Sequence, residues 1–163
     1  MGAGKSTIGR LLAGQLGLGF QDTDQIIEQR TGADIPWIFD VEGESGFRDR
    51  ESAVLKEALA VDRQVLATGG GIVCREDNLR ALRGHPCVIY LTADIEQLLE
   101  RTARDKKRPL LQVKDPRARV IELFNSRDPL YRDVADLVVK TDRRPPRVVA
   151  EELARRLRDS AGN

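Results

Sequence analysis

The sequence predicts an α/β domain with a largely parallel sheet, on three observations. The chain opens MGAGKSTIGRLL, and Gly4-Lys5-Ser6 closes the pattern Gly, four residues, Gly-Lys, Ser or Thr of a phosphate-binding loop. The first Gly of that pattern would fall two positions before Met1. Short apolar segments alternate with helix-patterned ones along the chain. The 163 residues contain no repeat and no linker, so they suit one domain, 1–163, with a real core.

Ser6 to about Leu16 is read as a helix, with Ile8, Leu11, Leu12 and Leu16 on one face. LGFQDTD is a short strand ending in acids. Asp24 to Arg30 is a helix stopped at Gly32. DIPWIFDVEGESGFRDRESAVLKEAL holds two helices, with Asp34 as cap and Pro36 in the first turn. QVLATGGG is a buried strand running into three glycines, and PCVIYLTA is another strand. Asp94 caps the helix IEQLLERTAR. The charged, proline-bounded DKKRPLLQVKDP is expected to be an exposed mobile loop. A helix over Arg117 to Ser126, a strand DLVVKT and a helix PPRVVAEELARRL complete the chain.

Composition excludes several classes. Charged residues make up 33% and hydrophobic residues 40%, as in a globular protein without a membrane span. Lys plus Arg is 27 and Asp plus Glu is 26, a balance that argues against a nucleic-acid binder. RRPPR and ARRLR then read as solvated ends of the last helix. No signal peptide is visible. Cys74 and Cys87 lack metal-ligand spacing and read as reduced thiols of a cytoplasmic protein. His85 precedes Pro86 at a turn and has no partner motif.

Successive backbone N–H groups of Gly2, Ala3, Gly4, Lys5, Ser6 and Thr7 suit phosphate oxygens, backed by the positive end of the following helix. Lys5 reaches the β and γ phosphates, and the Ser6 hydroxyl suits Mg²⁺. Asp22-Thr23-Asp24 follows a strand, at the sheet edge where α/β proteins bind ligands. Either its carboxylates divide labour between metal and acceptor, or one caps a helix and the other is solvated. Arg48 in GFRDRES, Arg108 in DKKRPLL and Arg127 in NSRDPLYRD are ligand groups or surface cations. TGGG, from Thr68 to Gly71, lets backbone approach a ligand closely.

Together these segments resemble the shikimate kinase family: MGAGKSTIGR, DTDQIIE, TGADIPWIFDVEGESGFRDRE, LATGGGIV, RDKKRPLL and RDPLY occur in its order and at its spacing. The resemblance implies a P-loop kinase fold of the nucleoside-monophosphate-kinase type, with a five-stranded parallel sheet flanked by helices. It implies ATP-dependent phosphorylation of the shikimate 3-hydroxyl, with Mg²⁺, by a monomer. Residues 23–51 would form the substrate-binding region and 104–116 the lid. Gly2 to Thr7 would bind ATP, Ser6 would ligate Mg²⁺, and Asp22 would hold metal-bound water or orient Ser6. Asp24 would contact shikimate and act as base. Arg48 and Arg127 would grip the carboxylate, Glu51 would brace Arg48, and Gly69, Gly70 and Gly71 would line the pocket. Arg108 would close over the phosphates, and Arg144 would meet the adenine end of ATP.

In that family a strand precedes the loop, mid-sheet, between those matching QVLATG and CVIYL. This first central strand is absent from the sequence, so Met1 is expected to be an internal methionine of a longer protein. A chain starting at Met1 is expected to fold poorly or bind ATP weakly, because unpaired buried backbone groups cost about 1–3 kcal/mol each. Two other readings compete. One is a kinase of the gluconate kinase type, lacking the DTD, FRDRE and GGG set. The other is a nucleotide-binding regulatory domain without turnover.

Overall fold

In the computed structural model, which describes residues 2–103 and 109–161, strands and helices alternate as the sequence predicts. They run α1 (Lys5–Leu16), β1 (Gly19–Asp22), α2 (Thr23–Thr31), α3 (Ile35–Leu59), β2 (Gln64–Ala67) and α4 (Glu76–Arg83). There follow β3 (Ile89–Thr92), α5 (Ile95–Ala103), α6 (Pro116–Val134), β4 (Leu137–Lys140) and α7 (Pro146–Ala161). Among the described residues, no helix is long and apolar enough to cross a membrane.

The strands form two parallel pairs. β1 pairs with β2, setting Asp22 beside Ala67, and β3 pairs with β4, setting Thr92 beside Lys140. No ladder joins β2 to β3. Their facing edges flank a cavity of about 320 Å³, lined by Val65 and Leu66 of β2, Ile89 and Leu91 of β3, and Ile8 and Leu12 of α1. The described residues therefore show four strands in two pairs rather than five in one sheet.

Helices cover both faces of the strands. On one side α1 and α7 bury Ile8, Leu12, Val149, Ala150, Leu153 and Ala154 against Val139, with Val65 packed alongside. On the other, Leu55, Ile72, Val73, Leu79, Leu82 and Val134 form a second core, with Leu66 alongside. Val65 and Leu66 face opposite ways because strand side chains alternate.

The region over 35–59 is two helical pieces, as expected, joined at Gly43 with φ 71° and ψ 178°. Asp34 caps it by accepting from the Trp37 N–H at 3.0 Å. Asp94 opens α5 with its carbonyl, which accepts from the Leu98 N–H. Its carboxylate pairs with Lys140 at 2.6 Å.

Two expectations need correction, and one helix was not foreseen. α6 continues past Ser126 and through Pro129, because Leu130, Tyr131 and Val134 bury apolar surface in the second core. That burial offsets the backbone hydrogen bond a proline forfeits. Residues 109–111 are not an exposed loop but a 3₁₀ turn, with Leu110 and Leu111 packed on Leu98, Val120 and Leu123. The glycine run leads into a second 3₁₀ turn (Ile72–Cys74) and then α4, a helix not anticipated.

Gly43 occupies a backbone region essentially restricted to glycine. Gly43→Ala should lower stability by about 1–3 kcal/mol in urea unfolding. An unchanged midpoint would mean the two helical pieces run straight without cost.

Candidate active site

The phosphate loop sits at the start of α1. Gly2 and Gly4 have φ of 67° and 85°, and no side chain caps the helix. Its first-turn N–H groups and positive dipole end are thus left to an anion. The Ser6 hydroxyl donates to Asp22 at 2.5 Å. The other Asp22 oxygen accepts from the Asp24 N–H at 3.0 Å. One carboxylate therefore orients the loop serine and caps α2.

Asp24 lies in the first turn of α2, facing the same space. Burial, then the charges of Asp22 and Glu51, push its carboxyl up from 3.8 to about 6, against a lowering by Lys5. Its Oδ1 is buried and has no hydrogen-bond partner in the protein.

Arg48 and Glu51 form a buried ion pair at 2.6 Å on the second piece of α3. Glu44, one turn earlier, takes the other guanidinium nitrogen at 3.2 Å. Burial raises the Glu51 carboxyl, while Arg48 and Arg127 lower it. Arg127, from α6, is itself only 7% exposed. Arg48 Nε and Glu51 Oε1 are buried without partners. Such unpaired groups cost about 1–3 kcal/mol each. The cleft is thus suited to a ligand carrying hydroxyls and an anionic group.

The glycine strip makes room for these charges. A Cβ on Gly69 would stand 2.7 Å from Glu51 Oε1 and 2.8 Å from Asp24 Oδ1. One on Gly71 would stand 1.9 Å from the Arg48 guanidinium. The Gly69 N–H donates to the Thr23 hydroxyl at 3.1 Å, tying the end of β2 to the start of α2.

Asp22, Asp24, Arg48, Glu51, Gly69, Gly71 and Arg127 are therefore brought together. Arg144 is not among them: it pairs with Glu152 of α7. Arg108 lies outside the described residues, as does 104–108 of the expected lid. Sequence reading missed Thr23, Glu44 and Arg101, whose Nη1 donates to the Gly2 carbonyl at 2.9 Å. An arginine on an amphipathic helix carries no signal of that contact.

Among the described residues there is no group of three or more His, Cys, Asp or Glu that could hold a metal. The Ser6 hydroxyl and Asp22 carboxylate are the hard oxygen donors next to the loop. They fit Mg²⁺, which takes one or two protein oxygens and completes its shell with water and phosphate.

The shikimate kinase family model matches residues 1–158. A shikimate kinase of Pseudomonas paraeruginosa is 59% identical over 158 residues, 97% of this chain and 92% of its own length. One from Chromohalobacter salexigens is 60% identical over 156 residues, covering 96% and 87%. Among solved structures, shikimate kinase from Acinetobacter baumannii in complex with shikimate superposes with TM-score 0.95 at 46% identity, over 98% of this chain and 89% of that one. Shikimate kinase from Aquifex aeolicus gives TM-score 0.85 at 35% identity, covering 99% and 94%. By this family match and these identities over nearly the whole chain, the chain belongs to the shikimate kinase family and has its P-loop fold.

Proposed function

We propose that this chain transfers the γ-phosphoryl group of ATP to the 3-hydroxyl of shikimate, giving shikimate 3-phosphate and ADP on the way to chorismate and the aromatic amino acids. The observation that carries the reading is the corner where Asp24 faces the buried Arg48–Glu51 pair beside Gly69. A carboxylated ring with adjacent hydroxyls satisfies both the guanidinium nitrogens and the unpaired Asp24 oxygen.

In this reading Arg48 and Arg127 hold the shikimate carboxylate, since planar guanidinium donors match its oxygens. Glu51 keeps Arg48 in place, and the strip Gly69–Gly71 lines the pocket. The loop Gly2–Thr7 holds the triphosphate, with Lys5 on the β and γ phosphates. Mg²⁺, held through Ser6 and Asp22, neutralises charge on the phosphates when bound. Asp24 accepts the hydroxyl proton as the oxygen attacks phosphorus and ADP leaves. A carboxyl near 6 is ionised at neutral pH, yet basic enough to take part of that proton. Residues 23–51 form the substrate-binding region and 104–116 the lid, which brings Arg108 over the phosphates. Arg144 meets the adenine end of ATP. The same reading makes the protein a cytoplasmic monomer, in keeping with its two free thiols.

The direct test is coupled ADP release with shikimate, gluconate and buffer alone. The account expects shikimate-dependent release; release driven by gluconate instead would replace the substrate class, and ATP binding without release would make the chain a regulatory domain.

The pH dependence follows from Asp24. Because its ionised form is the base, kcat should fall as pH drops through about 6. A flat profile from pH 8 to 5 would contradict the role. Stability runs the other way. The folded value is raised, so what the protonated carboxyl contributes is present below about 3.8 and lost as pH rises through about 6. That displacement corresponds to about 3 kcal/mol. Asp24→Asn should nearly abolish turnover while making the fold more stable at pH 7.5 by up to about 3 kcal/mol. The gain should vanish near pH 4, and chemical unfolding at the two pH values checks it.

Arg127→Ala should raise the KM for shikimate about 10- to 100-fold and leave the KM for ATP unchanged, by loss of charge-assisted hydrogen bonds. It is a cleaner probe than Arg48→Ala, which would also strand Glu51 in the interior at a cost of about 3–5 kcal/mol. Equal rises in both KM values would contradict the assignment.

A further inference from the structure

Tyr131 ends the segment Arg127-Asp128-Pro129-Leu130-Tyr131, and none of the roles above uses it. It stands one helical turn after Arg127 on α6. Its hydroxyl donates to the carbonyl of Gly70. Burial pushes the phenol up to about 12, against a lowering by Arg127, so it remains a donor at any working pH. The ring is fixed from its other side. It stacks on Tyr90 of β3, with centroids 4.8 Å apart and planes 29° apart. Tyr90 in turn donates to Asp128 at 2.8 Å, and Asp128 accepts from Arg132 Nε at 2.8 Å.

The neighbours of Gly70 are each tied to the site. Gly69 is held by Thr23, and the Arg48 guanidinium fills the place where Gly71 would carry a Cβ. The Gly70–Gly71 peptide is trans, so holding its carbonyl also sets the direction of the Gly71 N–H. The Ile72 N–H donates to the Gly69 carbonyl and closes a turn around this diglycine peptide, but no Cβ bars the peptide from flipping within that turn, so the Tyr131 contact selects its orientation.

We infer that Tyr131 is a positioning residue of the acid pocket, which by holding the Gly70 carbonyl keeps the glycine strip in register with Arg48 and Arg127. The inference rests on the shikimate reading given above. Tyr131 acts through Gly70 and through Arg127, whose side chain also meets its hydroxyl.

Tyr131→Phe removes the donor and keeps the ring and its stack. It should raise the KM for shikimate about 3- to 10-fold, the loss of one hydrogen bond. The KM for ATP should stay at the wild-type value, and the shikimate Kd by calorimetry should rise by the same factor as the KM. Replacing Tyr131 with p-aminophenylalanine, which retains a donor at that place, should return the shikimate KM towards wild type. An unchanged shikimate KM in the Phe variant overturns the inference. So does a parallel loss in both KM values and the thermal midpoint, which marks a merely structural role. Wild-type protein that releases no ADP with shikimate overturns the functional reading and this inference together, whereas normal wild-type turnover with a wild-type-like Phe variant overturns this inference alone.

Discussion

The site depends on burying charge in a confined corner. Arg48 and Glu51 sit face to face in the interior, with exposures of 6% and 0%. Neither survives there alone, since an ion stripped of water and partner costs several kcal/mol. Even paired, each keeps one polar atom unsatisfied, and so does Asp24 beside them. A protein interior seldom tolerates three such atoms together. Their presence at one end of β2 marks a place shaped for something that arrives and leaves.

The rest of the fold serves that corner. The bend at Gly43 ends the first piece of α3 and starts the second, which carries Arg48 and Glu51 inward. β1 and β2 stop level with each other, so Asp22 and the glycine strip emerge at the same edge. Asp22 links two parts through its two oxygens: the loop serine and the Asp24 N–H in the first turn of α2. Phosphoryl transfer needs little covalent help and much positioning. A network of short contacts between rigid helix starts supplies that.

The site was more legible in the sequence than its supports were. The phosphate loop and the glycine strip were legible in their residue types, whereas the roles of Asp22, Asp24 and Arg48 came from the order and spacing of segments that resemble the shikimate kinase family. α1 and α7 were legible too, because their apolar residues repeat at helical spacing over a full face. The contacts that hold the site together were not. Thr23 meets Gly69 across 46 positions, and Arg101 meets Gly2 across 99. Neither residue type announces such a partner. The helix was expected to end at Ser126, yet burial of Leu130, Tyr131 and Val134 carries α6 on through Pro129. α4 went unseen because half of EDNLRALR is charged, with Leu79 and Leu82 as its buried apolar pair.

The central claim is that two buried guanidinium groups hold a carboxylate next to Asp24. Calorimetric titration of the protein with shikimate and with its methyl ester tests it most directly, since the ester keeps the ring and every hydroxyl. The account predicts that the ester binds at least about 10-fold more weakly, the loss of a charge-assisted contact. Equal affinities for acid and ester would contradict it.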